Sequence, residues 1–371
     1  RRMKIGIVGG GQLGRMLALA GIPLGFEFLF LDPSAEAPAG AIAPLRVGAF
    51  TDQRELRRLA RRCEVLSFDW ENVSVAALRA ATRGTGTRIA PALRALHTGQ
   101  DRLAEKRLFE RLKIPTTRYA SVASRAALWR AAARIGMPGV LKTRRLGYDG
   151  KGQRVIRDHA ALDAAWRSLG GVPLLYEEYV RFDSEVSGLG VRARDGRLAL
   201  YPLVRNWHDE GILRLSMAPW QAPALERQAH RHLRTVLREF NYTGLLAIEF
   251  FVRNGQLIAN ELAPRVHNSG HWSIEGATTS QFENHLRAIA GLPLGSVAPT
   301  GHSAMINLIG QMPARAALLE LPGLHLHDYG KSPRPGRKLG HCTLIAPSAA
   351  ERNRRTRALL RVLGLQLASV P

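Results

Sequence analysis

The chain has 371 residues, of which 46% are hydrophobic and 22% charged, as is ordinary for a globular protein with a sizeable core. Lysine and arginine number 53 against 30 acidic residues, so the formal net charge is +23, and all but seven basic residues are arginine. No apolar run approaches the roughly 20 residues of a transmembrane helix, so we expect no membrane span. Cys63 and Cys342 are the only cysteines, which indicates neither a disulfide framework nor a zinc site and favours a reducing cytoplasm.

The positive charge is spread along amphipathic helical patterns and does not form one patch. Phosphate neutralisation dominates nucleic-acid affinity, so a basic chain is a candidate nucleic-acid binder. No zinc-knuckle, RNP or recognition-helix signature accompanies the arginines, and we therefore expect no nucleic-acid partner. The charge favours small anionic ligands instead.

The predicted helices and strands divide the chain into three parts with different secondary-structure patterns. In residues 1–100, strands over 4–8, 26–31 and 64–68 alternate with helices over 52–61 and 74–82, which predicts a Rossmann-like parallel sheet covered by helices. The predicted helices of residues 101–300 lie over 101–112, 123–135, 223–239 and 278–290. The predicted strands of that part lie over 117–121, 139–142, 173–178, 184–193, 197–201 and 212–217, followed by a hairpin over 243–263. Residues 301–371 predict a small α+β unit.

The first glycine-rich motif, Gly9-Gly10-Gly11-Gln12-Leu13-Gly14, connects the first strand to a helix, and Asp32 ends the next strand. Such glycines permit a tight turn and let an anion approach the helix N-terminus, which predicts a nicotinamide dinucleotide site. The same glycines also suit a doubly wound sheet in which they only permit close packing of helix and strand. The motif therefore indicates the fold better than the ligand.

A second glycine-rich segment, residues 147–152, follows Lys142 at the end of a predicted strand. Three glycines in six residues are typical of a loop that folds over phosphates, with Lys142 and Lys151 supplying charge. The alternative is a plain hairpin with Asp149-Gly150 as its turn.

Glu249 and Glu261 flank Asn254-Gly255, a strong hairpin signal. A three-residue loop over 254–256 would place Glu249 opposite Glu261, whereas a two-residue turn would pair Glu249 with Asn260. Carboxylates that face each other in an apolar strand pair repel, and burial disfavours their charge further. Mg²⁺, which prefers oxygen ligands and nucleotide phosphates, removes both problems. The alternative is that the carboxylates face solvent or pair with arginines.

Two polar segments complete the candidate site. Residues 263–271 place Arg265 and His267 in a loop beside the proposed metal, where they could hold an oxyanion. Residues 331–338 carry four cations in eight residues, which indicates either a phosphate grip or a solvated turn.

These motifs together resemble the ATP-grasp superfamily and, within it, the 5-(carboxyamino)imidazole ribonucleotide synthase family of purine biosynthesis. The most specific match is the segment 260–271, Asn-Glu-Leu-Ala-Pro-Arg-Val-His-Asn-Ser-Gly-His, and the likeness extends from residues 9–16 to 334–341. The resemblance implies an ATP-grasp fold preceded by a Rossmann-like pre-ATP-grasp domain and followed by a small α+β domain. The implied domains are 1–100, 101–300 with a lid subdomain at about 120–178, and 301–371.

The resemblance also implies an ATP-dependent carbon–nitrogen ligase. The family joins bicarbonate to the amine of 5-aminoimidazole ribonucleotide through carboxyphosphate, with ATP and Mg²⁺, and gives 5-(carboxyamino)imidazole ribonucleotide, ADP and phosphate. Small-molecule substrates, a cytoplasmic homodimer, and no nucleic-acid or membrane partner are implied with it. The alternatives are another ATP-grasp ligase with a different acceptor and a nicotinamide-dependent oxidoreductase.

Matching positions carry the family's site residues over to this chain. The implied ATP site consists of Arg102, Lys142, Gly147, Tyr148, Asp149, Gly150, Lys151, Gly152, Gln153, Glu177, Glu178, Tyr179, Val180, Glu185, His208, Asn260 and Glu261. The implied Mg²⁺ ligands are Glu249 and Glu261. The implied ribonucleotide site consists of Gln12, Leu13, Ser34, Glu71, Tyr148, Asp149, Lys331, Arg337 and Lys338. The implied catalytic residues are Asp149 as proton acceptor, Arg265 and His267 for bicarbonate, and Lys331 for the ribonucleotide phosphate.

Two positions depart from the family pattern. Leu146 stands where glycine is usual, which predicts a stiffer lid, and Asp69 stands where a longer glutamate is common. Neither change removes a required charge, so we expect an active enzyme.

Overall fold

Residues 2–147 and 151–371 are described by a computed structural model of the chain. The N-terminal elements are β1 (Lys4–Val8), α1 (Gln12–Gly21), β2 (Glu27–Asp32), β3 (Leu45–Val47), α2 (Gln53–Ala60), β4 (Val65–Phe68), α3 (Val75–Thr82), β5 (Arg88–Ile89) and α4 (Leu93–Gly99). The five strands are parallel in the order β3-β2-β1-β4-β5, and both faces of the inner strands are apolar and buried. The carboxyl ends of β1, β2 and β4 therefore meet at one edge of the sheet.

A second, four-stranded antiparallel sheet follows. Its elements are α5 (Arg102–Arg111), β6 (Tyr119–Val122), α6 (Arg125–Ile135), β7 (Gly139–Thr143), β8 (Gln153–Ile156), α7 (His159–Leu169) and β9 (Leu174–Glu178), with the strand order β6-β9-β7-β8. The sequence pattern does not predict β8 and α7. Lys142 on β7 pairs with Gln153 on β8, a register that leaves a longer connection than the two-residue Asp149-Gly150 turn considered as the alternative. Tyr148, Asp149 and Gly150 themselves lie outside the described residues.

The third sheet is the largest. Its strands and helices are β10 (Ser184–Arg192), β11 (Leu198–Leu200), β12 (Val204–Asp209), β13 (Ile212–Ala218), α8 (Pro223–Glu239), β14 (Gly244–Arg253), β15 (Gln256–Ala263), α9 (Ser273–Gly276), α10 (Gln281–Ala290), β16 (His302–Ile309), α11 (Arg315–Leu319), β17 (Leu324–Asp328), β18 (Lys338–Ala346) and α12 (Ala349–Val362). The order is β15-β14-β10-β12-β13-β16-β18-β17, and β11 pairs with β10. Strand β12 is absent from the predicted set. Leu215 on β13 lies opposite Ile306 on β16, so the sheet is continuous across the predicted boundary at residue 300.

Helix α10 joins the N-terminal and central parts of the molecule. Its buried Leu286 and Ile289 share one apolar core with Leu17 of α1 and with Phe28 and Phe30 of β2. This shared core holds one face of the parallel sheet, together with α1, against the central part of the molecule and so positions the site between them. Within the described ranges, no helix is long and apolar enough to cross a bilayer.

Candidate active site

The first glycine-rich turn lies beside two carboxylates from neighbouring strands. Asp32, which ends β2, accepts a hydrogen bond from Gly10 N at 2.8 Å, and Asp69, which follows β4, accepts one from Gly14 N at 2.9 Å. Gly9 has a φ of 106°, and a Cβ atom there would overlap the Asp69 carboxylate, so this position requires glycine. Because the protein itself uses these two N–H groups, they are not offered to an external phosphate, which argues against the dinucleotide alternative.

Residues predicted to bind the ribonucleotide meet from distant parts of the chain. Lys331 Nζ donates to Gln12 Oε1 at 2.5 Å, and Leu13 packs against the N-terminal core. Burial, followed by the charges of Arg337 and Lys338, lowers the pKa of Lys331 to about 8. The structure thus brings the basic loop of the C-terminal part to the glycine turn.

Two further members of the predicted ribonucleotide set, the exposed Ser34 and the half-buried Arg337, form hydrogen bonds within their own segments. Ser34 N donates to Asp32 Oδ1 at 2.8 Å, and Arg337 Nη1 donates to both oxygens of Ser332. Ser34 and Arg337 are therefore ordered locally, in positions that a ligand could reach.

An ion pair joins the predicted ribonucleotide and bicarbonate residues. Arg265 donates from Nε and Nη2 to Glu71 Oε2, at 3.1 and 2.8 Å. The side chain of Gln100 donates to the carbonyls of Glu71 and Val73, both at 2.7 Å, and fixes the segment that carries the carboxylate. A ribonucleotide that contacts Glu71 would therefore share this carboxylate with Arg265.

Two buried lysines and one glutamate form the charged floor of the predicted nucleotide site. Glu177 Oε1 lies 3.2 Å from Lys142 Nζ, and Glu177 Oε2 lies 3.3 Å from Lys106 Nζ and accepts from Thr117 Oγ1 at 2.8 Å. Burial alone would raise the pKa of Glu177, but the two ammonium groups hold it at about 2. With two cations for one anion, this group of three side chains carries a net positive charge.

Lys106 and its neighbour Glu105 are not assigned to the site by the sequence. Lys106 is 1% exposed and also donates to Asn260 O at 2.9 Å, and the Glu105 carboxylate accepts from Leu262 N. Burial raises the pKa of Glu105 to about 8. The only sequence signal for Lys106 is that lysine is rare in this arginine-rich chain.

The predicted adenine hinge continues from Glu177 along β9. Glu178 turns to the opposite face, where its carboxylate accepts from Arg118 Nε at 2.8 Å, while Val180 is buried and Tyr179 is partly exposed. This alternation is that of an extended strand, so Glu177 alone of the two glutamates faces the lysines.

The base of the second glycine-rich loop is tied to the nucleotide side of the cleft. Arg102 Nη2 donates to Gly147 O at 3.3 Å, and Thr143 N donates to Gly152 O at 2.8 Å. Gln153 pairs with Lys142, and Lys151 is exposed. A cleft lined by Gly147, Arg102, Glu261 and Glu71, among others, connects this loop to the N-terminal part.

The two predicted metal ligands face each other across β14 and β15, although the strands are not joined by the three-residue loop that would place them opposite each other directly. Arg253 pairs with Gln256, so the turn contains only Asn254 and Gly255 and is the two-residue alternative, not the three-residue loop. A bulge at Asn260 adds one residue to β15 and places Glu249 opposite Glu261.

The carboxylate pair is partly shielded from solvent. Burial and the charges of Glu261 and Glu185 raise the pKa of Glu249 to about 7, although His208 opposes this shift. Arg102 Nη1 lies 3.5 Å from Glu261 Oε2, and Asn260 Oδ1 is buried without a hydrogen-bond partner. Two carboxylates and one amide oxygen without full compensation thus lie together at one bulge.

Two histidines border this carboxylate pair. His208 Nδ1 lies 3.0 Å from Glu185 Oε2, and His267 Nε2 lies 3.6 Å from Glu249 Oε1. The other nitrogen, His267 Nδ1, lies 2.8 Å from Ser269 Oγ. Burial, and after it the charge of Arg265, lowers the pKa of His267 well below its usual range, so His267 is neutral.

Family models match successive parts of the chain. A ribonucleotide synthetase preATP-grasp domain matches residues 2–100, an ATP-grasp domain matches 107–282, and a phosphoribosylaminoimidazole carboxylase C-terminal domain matches 303–355. A protein of Pseudomonas aeruginosa named N5-carboxyaminoimidazole ribonucleotide synthase is 52% identical over 342 residues, which are 92% of this chain and 94% of that protein. The chain belongs to the N5-carboxyaminoimidazole ribonucleotide synthase family.

Solved structures of N5-carboxyaminoimidazole ribonucleotide synthases share the whole fold. The synthetase from Thermus thermophilus is 48% identical with a TM-score of 0.92, covering 98% of this chain and 99% of that one. The synthase from Aspergillus clavatus, in complex with ADP and 5-aminoimidazole ribonucleotide, is 29% identical with a TM-score of 0.91 and the same coverage. The predicted fold class is confirmed, and as a member of this family the chain is an ATP-grasp ligase.

Proposed function

We propose that this chain carboxylates 5-aminoimidazole ribonucleotide with bicarbonate in purine biosynthesis, using ATP and Mg²⁺. The products are 5-(carboxyamino)imidazole ribonucleotide, ADP and phosphate. One observation carries the proposal: a single cleft is lined by Glu71 of the ribonucleotide set, Glu261 of the metal set, Arg102 of the nucleotide set and Gly147 of the lid. A reaction that couples phosphoryl transfer to carboxylation needs these sets side by side.

ATP binding in this proposal uses the charged floor and the predicted hinge. Lys142 and Arg102 would attract the triphosphate, Glu177 keeps the lysines in place, and residues 177–180 would contact the adenine. Glu185, paired with His208, would bind the ribose hydroxyls. The remaining contacts would come from the lid, residues 147–153.

Glu249, Glu261 and the buried, unpartnered Asn260 Oδ1 form an oxygen donor set that fits Mg²⁺. When bound, Mg²⁺ would supply positive charge beside the phosphates. Among the residues that the structure describes, no group of three His, Cys, Asp or Glu could hold a metal alone. Nucleotide oxygens would therefore complete the coordination.

The chemistry would proceed in two balanced steps. A bicarbonate oxygen attacks the γ-phosphorus and ADP leaves, which gives carboxyphosphate. The ribonucleotide amine then attacks the carboxyl carbon, phosphate leaves, and the amine proton passes to Asp149. Arg265 and neutral His267 would orient bicarbonate, since both lie on the loop beside Glu249.

The ribonucleotide would lie between the glycine turn and the basic loop. Gln12, Leu13, Ser34 and Glu71 would contact it from the N-terminal part, with Tyr148 and Asp149 on the lid side. Its phosphate would meet Lys331 and Arg337 or Lys338, and the contact between Lys331 and Gln12 supports this placement.

The deciding experiment measures phosphate release from ATP with and without 5-aminoimidazole ribonucleotide and bicarbonate. We expect release to require both and to match incorporation of labelled bicarbonate into an acid-labile product. Release driven by glycinamide ribonucleotide or biotin would favour another ATP-grasp ligase. A thermal shift with NADH but none with ATP and Mg²⁺ would favour the oxidoreductase alternative.

We further propose a cytoplasmic homodimer with domains 1–100, 101–300 and 301–371. The family likeness supports the dimer, and the distant cysteines, both buried and unbridged, support a reducing compartment. Sedimentation equilibrium of the purified chain tests the dimer directly, and a monomer at micromolar concentration would contradict it.

A further inference from the structure

Three histidines from different elements form a row between the central and C-terminal parts of the molecule. His271 is the last residue of the loop 263–271 (the bicarbonate loop, after the proposed role of Arg265 and His267), His341 lies on β18, and His327 lies on β17. The ring centroids of His271 and His341 are 4.9 Å apart, and those of His341 and His327 are 4.4 Å apart with the planes nearly parallel. His271 and His341 are almost completely buried, so their orientation is set by the protein and not by water.

The His271 end of the row is connected to His267 of the bicarbonate loop by hydrogen bonds through Gln281. Gln281 Nε2 lies 3.2 Å from His271 Nδ1 and donates to His267 O at 2.6 Å, while Gln281 Oε1 accepts from His267 N at 3.0 Å. Gln281 is fully buried and thus clamps the backbone of His267 to His271. At the opposite end, His327 Nε2 lies 2.5 Å from Glu275 Oε1 on α9.

The centre of the row reaches the basic loop through one tyrosine. The Tyr329 hydroxyl lies 2.7 Å from His341 Nδ1, and Tyr329 is 2% exposed. Burial raises the pKa of Tyr329 and lowers that of His341, so the hydroxyl donates and the neutral imidazole accepts. Lys331 Nζ lies 5.7 Å from the centroid of the Tyr329 ring and also bonds Gln12.

We propose that Tyr329 and His341 are positioning residues that hold the Lys331 ammonium at a fixed place relative to the His267 loop. The inference rests on the proposed function, in which Lys331 contacts the ribonucleotide phosphate. A ring locked by a buried hydrogen bond offers Lys331 a fixed face, so that little side-chain entropy is lost when the phosphate binds. Both side chains are buried, so they would act through Lys331 and not by contact with the substrate.

Two variants separate this role from simple packing. Tyr329→Phe keeps the ring under Lys331 and removes only the hydroxyl, and His341→Phe keeps a flat ring beside His327 and removes the acceptor. We expect each variant to raise KM for the ribonucleotide about five- to tenfold, the scale of one lost buried hydrogen bond, with KM for ATP changed less than about twofold. Because both variants lose the same hydrogen bond, the double variant should raise KM for the ribonucleotide little more than either single variant does.

Tyr242→Phe is the matched control. Tyr242 is fully buried, and its hydroxyl donates to Leu245 O at 2.8 Å, so the substitution removes a comparable hydrogen bond elsewhere. This control should leave both KM values unchanged. Equal changes in the two KM values of Tyr329→Phe, or no change in either, would overturn the positioning role. Wild-type protein that lacks ribonucleotide-dependent turnover would instead overturn the proposed function.

A second readout does not depend on activity. The chain has seven lysines, so reductive ¹³C-methylation gives few NMR signals, and Lys331→Arg identifies the signal of Lys331. In the ligand-free protein, Tyr329→Phe should shift and broaden this signal and leave that of Lys113 unchanged. An unaltered Lys331 signal in folded Tyr329→Phe contradicts the proposal, even if His341→Phe fails to fold.

Discussion

Arg265 donates two hydrogen bonds to a single oxygen of Glu71, and this pair joins the N-terminal part of the cleft to the loop that follows β15. Both side chains are largely buried, so neither charge is well solvated without the other. In the proposed function, Glu71 contacts the ribonucleotide and Arg265 contacts bicarbonate. Binding of one substrate would therefore affect binding of the other through this ion pair.

Replacing this carboxylate tests the coupling. Glu71→Gln leaves Arg265 without a counter-charge, and we expect kcat/KM for the ribonucleotide to fall about ten- to a hundredfold. Glu55→Gln, which removes a carboxylate paired with Arg46 and Arg58 in the N-terminal part, should leave kcat/KM unchanged. Steady-state kinetics at saturating ATP and bicarbonate measure both, and wild-type kinetics for Glu71→Gln would contradict the coupling.

The facing glutamates predict a metal dependence. Glu249→Gln and Glu261→Gln each remove one anionic oxygen ligand, so the Mg²⁺ concentration for half-maximal activity should rise about tenfold or more. Glu283→Gln on α10, whose carboxylate pairs with Arg287, serves as the control and should not change it. Mg²⁺ titrations at fixed ATP decide the matter, and normal titrations for both site variants exclude this metal site.

Asp149 lies outside the described residues, and its role as proton acceptor is tested by substitution. Asp149→Asn should leave the affinity for ATP nearly unchanged, since an amide keeps the size of the side chain. Carboxylation should slow about a hundredfold or more because the amine loses its base. Isothermal titration with ATP and single-turnover carboxylation separate the two effects, and an unchanged turnover removes Asp149 from this role.

The lowered pKa of Lys331 predicts a pH dependence. Burial and the charges of Arg337 and Lys338 outweigh the opposing charge of Asp69 and bring this pKa to about 8. The ammonium is therefore present below about pH 8 and lost above it, so KM for the ribonucleotide should rise as the pH increases through that value. Lys331→Arg keeps its charge and should shift the rise to higher pH. A KM that stays flat between about pH 7 and about pH 9 would refute the assignment.

The backbone conformation of Leu146 predicts that replacing this residue with glycine stabilises the folded protein. Its φ of 63° lies in the left-handed region, and 72% of its surface is exposed, so the side chain contributes little packing that offsets the strain. Leu146→Gly should raise the free energy of unfolding by about 0.5–1 kcal/mol, whereas Leu146→Ala keeps the Cβ atom and should not. Denaturant unfolding of both variants distinguishes them, and equal stabilities would show that Leu146 is unstrained.

The hairpin shows how far the sequence determines the site. Two facing carboxylates were predictable from the spacing of Glu249 and Glu261 around an Asn-Gly turn. The bulge at Asn260 was not, because an inserted residue leaves the alternation of apolar and polar residues ambiguous. A two-residue turn plus a bulge therefore gives the same facing pair as the three-residue alternative.

Long-range partners account for most of what the sequence did not reveal. Lys106 lies on an ordinary amphipathic helix, and its partner Glu177 lies far along the chain, on strand β9. The glycine turn was correctly predicted as part of a parallel sheet. The sequence did not predict that Asp69, which follows β4, accepts a hydrogen bond from this turn. Local periodicity contains no information about such pairs, so the fold was more predictable than the chemistry of its cleft.

The continuity of the large sheet limits how this chain can be shortened. Since β13 obtains its outer hydrogen bonds from β16, cutting the chain near residue 300 would leave an open strand edge and uncover the apolar residues on which α12 packs. We expect such a fragment to self-associate rather than persist as an independent nucleotide-binding module. The C-terminal residues are thus part of the folding unit, and a fusion partner inserted at that junction would disrupt the large sheet.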